Sequence, residues 1–167
     1  MNQLRILHDS ESEAAVAAVT DALERVFGLR TAEVLLRAPA GIQAAWNARR
    51  NQYNASRLLA HLLGSTSSAA APACPLLSLW LVSADLYVAG MNFVFGVAHP
   101  GKGAVLSTAR LTTIELIVKE AIHELGHVLG LTHCTNECVM QFSNSLAEAE
   151  VKPATLCGRC RARITFL

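Results

Sequence analysis

Aromatic side chains are scarce in this 167-residue chain, at 5%, although hydrophobic residues reach 52%. Alanine, leucine and valine must therefore build the core. Charge is thin as well: Asp, Glu, Lys and Arg make up 16%, against about 25% in an average domain. That combination excludes an intrinsically disordered chain, which needs low hydrophobicity and high charge. It also argues against a surface laced with ion pairs of the hyperthermophile kind. No sign of charge dominates, since 14 basic and 13 acidic residues leave a net charge of +1. Nothing global therefore points to a nucleic-acid partner. No apolar run reaches the roughly 18–20 residues of a transmembrane helix, so no membrane association is expected. Met1 to Asp9 has neither the basic start nor the apolar middle of a secretory signal, and a cytoplasmic, monomeric protein is expected. Five cysteines are an odd number for a disulfide framework, and a reducing compartment argues against one.

The length suits one domain, with enough chain to bury a core without disulfides. Residues 3–8 form a first candidate strand. Ser10 and Glu13 fit a capping box ahead of Ala15, Val19, Ala22, Leu23 and Val26, which recur at helical spacing up to Gly28. A second strand is expected over 32–37, and a second helix over 45–63. Residues 65–75 are small and of low complexity, as a connection would be. The unbroken apolar run 76–82 suits a strand buried on both faces. Strands over 92–98 and 104–110 flank His99-Pro100-Gly101-Lys102-Gly103 and so predict a hairpin. Thr112 or Thr113 caps a long helix reaching about Gly130, and an irregular cysteine-rich tail follows. Strands alternating with helices predict an α/β (α+β) fold with a mostly parallel sheet. The hairpin requires an antiparallel strand in it.

The chemistry concentrates in His123 to Met140. His123 and His127 stand four apart on a predicted helix, so both imidazoles leave one face, with Glu124 between them. Gly130 offers a left-handed turn that ends the helix, and the chain can reverse to bring back His133. Three neutral imidazoles leave a fourth position of a tetrahedral zinc open to water, as a catalytic zinc requires. Glu124 then suits a general base that takes a proton from that water and delivers it to the leaving nitrogen. The alternative is a buried histidine cluster satisfied by hydrogen bonds.

Cys134, Cys138, Cys157 and Cys160 supply four thiolates in two closely spaced pairs, the pattern of a structural zinc that would fasten the tail to the loop after the helix. Two disulfides, a redox C-x-x-C or four unlinked thiols compete with that reading. Arg159, Arg161 and Arg163 either offset the thiolate charge or form a solvated basic end. Cys74 stands alone and is a spectator. His8, His61 and His99 lack ligand spacing. Glu120, one turn before Glu124, is expected as a surface charge rather than a partner of the site.

The segment His123-Glu124-x-x-His127-x-x-Gly130-x-x-His133 followed by Met140 resembles the metzincin signature. With Cys134 directly after the third histidine, then Cys138-x-Met140 and Cys157-x-x-Cys160, it is similar to the archaemetzincins in particular. The likeness continues upstream in residues 49–59 and 85–96 and so spans most of the chain. One departure is the three residues, Thr135 to Glu137, between the first two cysteines, where the family pattern has four. The resemblance implies a single metzincin-like catalytic domain over 1–167, with a sheet-and-helix part (1–130) and a C-terminal four-cysteine zinc part (131–167). It implies a five-stranded mixed twisted sheet whose antiparallel edge strand lies above a cleft, with Gln141 to Asn144 walling its pocket. Met140 would lie in the Met-turn as an apolar floor beneath the histidines, and Phe142, two residues on, cannot ligate.

The function implied is a zinc-dependent metalloprotease, with Glu124 as base and two zinc ions per chain, one catalytic and one structural. Its partner would be a peptide or protein substrate. A non-catalytic zinc-stapled module that binds peptide, protein or nucleic acid, or a zinc hydrolase of a non-peptide amide, would carry some of the same residues. Arg50, Gln52 and Tyr53 fall in the resembling stretch without a role that their chemistry alone supplies.

Overall fold

The computed structural model describes residues 3–65 and 76–164; of the connection expected over 65–75, Ser65 ends a helix and the rest, with Cys74, lies outside the described residues. In chain order the elements begin with β1 (Gln3–His8), α1 (Glu13–Phe27), β2 (Arg30–Leu36), β3 (Trp46–Asn47), β4 (Gln52–Asn54) and α2 (Ala55–Ser65). They continue with β5 (Leu76–Val82), β6 (Leu86–Tyr87), β7 (Gly96–His99), β8 (Gly103–Ser107), α3 (Ile114–Val128), α4 (Leu146–Val151) and α5 (Gly158–Ile164).

Five strands form one sheet in the order β2-β1-β5-β8-β7. Four run parallel, and β7 closes one edge antiparallel to β8. The central strands carry a period of two through the sheet, because successive side chains leave opposite faces. Leu4, Ile6, Leu79, Leu81, Ala104 and Leu106 pack towards α1 and α3. Leu7, Trp80, Val82 and Val105 pack on the other face against Leu58 and Leu62 of α2. The apolar run of β5 is thereby explained: both of its faces are covered, as are those of β8 beside it. Trp80 is fully buried and donates its indole N–H to the Arg37 carbonyl at 2.9 Å.

Several local expectations are revised. Asp9, not Ser10, caps the first helical segment; its carboxylate accepts the Ser12 amide at 3.0 Å, and a short turn over Ser10–Ser12 precedes α1. The expected helix over 45–63 begins only at Ala55. Residues 46–54 instead form β3 and β4, a small hairpin with Asn51 at φ 53° in its turn, and β4 pairs with β6. Long-range pairing thus overrides local helical spacing. The strand expected over 92–98 starts at Gly96, because Val94 bridges back to Leu86 and Phe93 and Phe95 build a wall. The one expected over 104–110 spans Gly103–Ser107. The tail is not wholly irregular, since it contains α4 and α5. As expected, Thr113 caps α3, its hydroxyl accepting the Leu116 amide at 3.2 Å.

Candidate metal centre and its cleft

Helix α3 runs under β7 and presents Glu120, His123, Glu124 and His127 along one side. The chain leaves the helix through Gly130, at φ 86°, where a side chain would be strained. This turn brings His133 back over the helix end. One nitrogen of each of His123, His127 and His133 lies within 4.8 Å of those of the other two.

The protonation of two rings follows from their partners. Carbonyl oxygens only accept, so His123 Nδ1–H donates to Val139 O at 2.9 Å and His127 Nδ1–H donates to Leu131 O at 2.8 Å. Each Nε2 is therefore a bare lone pair, and the two stand 3.0 Å apart. Two lone pairs at that distance repel unless a cation lies between them, and neutral imidazole is the form that metals bind. The donor set fits a zinc ion. Burial, reinforced by the Lys152 ammonium, holds His123 down to about 3, so its ring stays neutral. Burial likewise lowers His127 and His133.

Glu120 corrects the sequence reading. It is 2% exposed, not a surface charge, and pairs with Lys152 at 2.8 Å, itself 2% exposed at the side chain. Lys152 Nζ also stands 3.4 Å from His123 Nδ1. In return the neighbouring Lys119 donates to the carbonyls of Ala149, Glu150 and Lys152 at the end of α4, at 2.9, 3.0 and 2.8 Å. Two adjacent residues of α3 thus clasp α4 and fix its register on the site helix. Burial, with repulsion from Glu120, pushes Glu124 up to about 8, and Lys152 opposes the shift. The positive charge of a cation at the histidines would act in the direction of Lys152.

A cleft of about 280 Å³ lies over these groups. Val88, Met91 and Phe93 form one wall, Gly96 to Ala98 of β7 the roof, and Phe142, Ser143 and Asn144 the other wall. Gln141, expected among the wall residues, turns away and donates to the Asn136 carbonyl at 2.8 Å. Phe142 is 55% exposed and stands edge-on to the His133 ring at 5.1 Å. Met140 is fully buried, and its sulfur would lie 2.5 Å from a Cβ on Gly126, so it sits tight under the helix carrying the histidines. Gly96 is equally constrained: a Cβ there would come within 2.7 Å of the Glu124 side chain. Gly96→Ala is expected to displace that carboxylate and lower kcat/KM on a peptide by about 10²-fold. Metal content, measured on the same samples, should not change.

Behind this cleft the four cysteine sulfurs also lie within 4.8 Å of one another. All four are free thiols. Cys134 and Cys157 sulfurs are 3.8 Å apart, far beyond a disulfide bond of about 2.05 Å. Cys138 sulfur accepts the amides of Met140 at 3.5 Å and Cys157 at 3.3 Å, and Arg159 donates to Cys134 sulfur at 3.4 Å. The Cys160 amide, chiefly, pulls Cys157 down to about 6, into the thiolate range. Hydrogen bonds of this kind stabilise thiolates, the form that binds zinc. The remaining three histidines are elsewhere: His8 bonds the Asp9 carbonyl, His61 meets Arg37 and His99 bonds the Pro100 carbonyl.

The family model for Peptidase family M54 matches residues 13–165. The chain belongs to peptidase family M54, the archaemetzincins. It is a zinc metallopeptidase. An archaemetzincin of Archaeoglobus fulgidus is 39% identical over 94% of this chain and 95% of its own. One of Nanoarchaeum equitans is 42% identical over 72% of this chain and 67% of its own. Among solved structures, the archaemetzincin of Methanopyrus kandleri superposes with a TM-score of 0.83 at 33% identity, covering 99% of this chain and 94% of that one. A zinc-dependent peptidase of Methanocorpusculum labreanum gives 0.81 at 26% identity, covering 96% of this chain and 99% of that one. The mixed five-stranded sheet with an antiparallel edge is therefore the family's fold, as the sequence led us to expect. Family membership also sets aside the non-catalytic module. No helix among the described residues is long and apolar enough to cross a membrane.

Proposed function

We propose that His123, His127 and His133 hold a catalytic zinc, that Glu124 is the general base, and that Cys134, Cys138, Cys157 and Cys160 hold a second, structural zinc. The observation that carries this reading is the pair of Nε2 lone pairs held 3.0 Å apart by two backbone carbonyls, with a third imidazole beside them. Zinc held there supplies a Lewis acid that polarises the scissile carbonyl and lowers the pKa of water.

The chain's own groups do the rest. Strand β7 is a sheet edge that lines the cleft, so an extended peptide can add to it through main-chain hydrogen bonds and lay its carbonyl over the histidines. Glu124 accepts the proton of the attacking water on its carboxylate, then gives it to the departing amine nitrogen. Phe142 offers neither ligand nor donor to the developing oxyanion. Burial of Glu124, 5% exposed, keeps bulk water from competing for that proton. The Val139 and Leu131 carbonyls hold the His123 and His127 imidazoles in place, and Met140 packs under the helix that carries them. The C-terminal part, 131–167, belongs to the same single domain, and its sulfur cluster braces the loop that carries His133. The chain acts as a monomer, in a reducing cytoplasm that suits the four unlinked thiols among the described residues, and nucleic acid is not its substrate.

A peptide-library digest tests this directly. Cleavage should disappear after treatment with a strong zinc chelator and return on adding zinc. Cleavage that survives complete removal of the metal would contradict the proposal.

A further inference from the structure

Between Glu33 and Asp85 the sequence has four arginines, Arg37, Arg49, Arg50 and Arg57, and no acidic residue, in a chain whose net charge is only +1. Three of the four converge. The small sheet of β3, β4 and β6 and the start of α2 enclose a recess of about 380 Å³ lined by Trp46, Asn47, Arg49, Asn54, Arg57 and Tyr87. Among the described residues, Arg49, Arg50 and Arg57 form no ion pair. Arg57 donates to the Ala44 carbonyl. Arg50 lies 4.3 Å over the Tyr87 ring. Asn54 caps α2, its side-chain oxygen accepting the Arg57 amide at 3.1 Å, so the positive end of the helix faces the same recess. Trp46, 40% exposed, stands beside it as an apolar contact. Hydrogen bonds from Asn47 and Asn54 hold the Tyr87 hydroxyl below its usual pKa, and the charges of Arg50 and Arg57 add to that.

This recess adjoins the cleft. Arg50 donates to the carbonyls of Met91 at 3.0 Å and Asn92 at 2.8 Å, and Met91 is part of the cleft wall. Tyr87 precedes Val88, which lines the same wall. Arg50 and Tyr87 thus connect the recess to that wall, and a peptide lying along β7 would have to continue past Met91 to meet it.

We propose that the recess of Trp46, Arg49, Arg57 and Tyr87 binds a carboxylate of the substrate, borne by an acidic side chain or by the peptide's C-terminus, and so selects among peptides. The inference rests on the peptidase reading above for its biological sense, but its test does not need hydrolysis. Fluorescent peptides are titrated against the zinc-loaded Glu124→Gln protein and followed by anisotropy. One peptide carries a glutamate and a free C-terminus, two carry one feature each, and one carries a glutamine and a C-terminal amide.

The doubly acidic peptide should bind about fivefold to tenfold tighter than the neutral one, with a preference that shrinks as salt rises. The singly acidic peptides show which carboxylate is read. Adding Arg49→Gln and Arg57→Gln together should bring the ratio below about twofold. Arg49→Gln alone, at an exposed side chain, should roughly halve it. Arg25→Gln on α1, which removes the same charge far away, should leave it intact. Equal binding of acidic and neutral peptides, or a preference that survives both substitutions, would overturn the proposal. So would a short single-stranded oligonucleotide of equal charge that binds more tightly and loses that affinity in the same variants. Carboxylate-selective binding without cleavage by the wild type would count against the catalytic roles proposed above and leave the recess standing.

Discussion

Glu124→Gln should lower kcat/KM for peptide hydrolysis by about 10³–10⁴-fold while the protein keeps its metal. Glutamine fills the same space in a site where the side chain is 5% exposed, so packing is not the variable. What is lost is an oxygen able to take and return a proton. None of the metal-facing nitrogens changes: His123 and His127 still donate to Val139 and Leu131, and their Nε2 atoms still face one another. The loss should therefore fall on kcat rather than KM. Stopped-assay kinetics with a metal assay on the same preparation checks both halves. Wild-type turnover with glutamine in place would remove Glu124 from the chemistry.

Cys138→Ser should release one zinc per chain and destabilise the fold by about 5 kcal/mol, a melting temperature lower by about 10–20 °C. Cys138 is fully buried and its sulfur accepts two backbone amides, from Met140 and Cys157. Those bonds join the Met-turn to the tail. The Cys134 amide in turn donates to the Met140 carbonyl at 2.9 Å, and Val139 donates to Thr155 at 2.8 Å. The sulfur cluster is thus stitched to the residues directly beneath and after the histidines, and its failure should also loosen the catalytic site. Differential scanning calorimetry and a zinc determination read the two effects. An unchanged melting temperature with two zinc ions retained would show that Cys138 holds no metal.

The two clusters able to hold a metal were legible because their logic is local. His123, Glu124 and His127 lie within one turn of one helix, and four cysteines at short spacings announce themselves by type. The central strands were legible because Leu77 to Val82 has no polar face to expose. Residues 46–54 were misread as helix because their partner, β6, lies more than thirty residues away. Lys152 was invisible for a similar reason: a lone lysine in a tail carries no mark of a buried ion pair 32 residues downstream of its partner. Glu120 did leave a signal. It stands three before His123 and four before Glu124, on the helical face that the metal site occupies. An acidic residue there is drawn inward with that face, and the expectation of a surface charge overlooked this. The role of Arg50 and Gln52 likewise required the fold, since they bond the Asn92 carbonyl at 2.8 and 2.9 Å and so hold the cleft wall.

Anomalous scattering at the zinc edge, from crystals of the purified chain, bears most directly on the two metal centres. Two peaks are expected, one among Nε2 of His123, Nε2 of His127 and His133, the other among the sulfurs of Cys134, Cys138, Cys157 and Cys160. A map with no peak between the imidazoles, or with a protein side chain completing that ion's coordination, would contradict a catalytic zinc there.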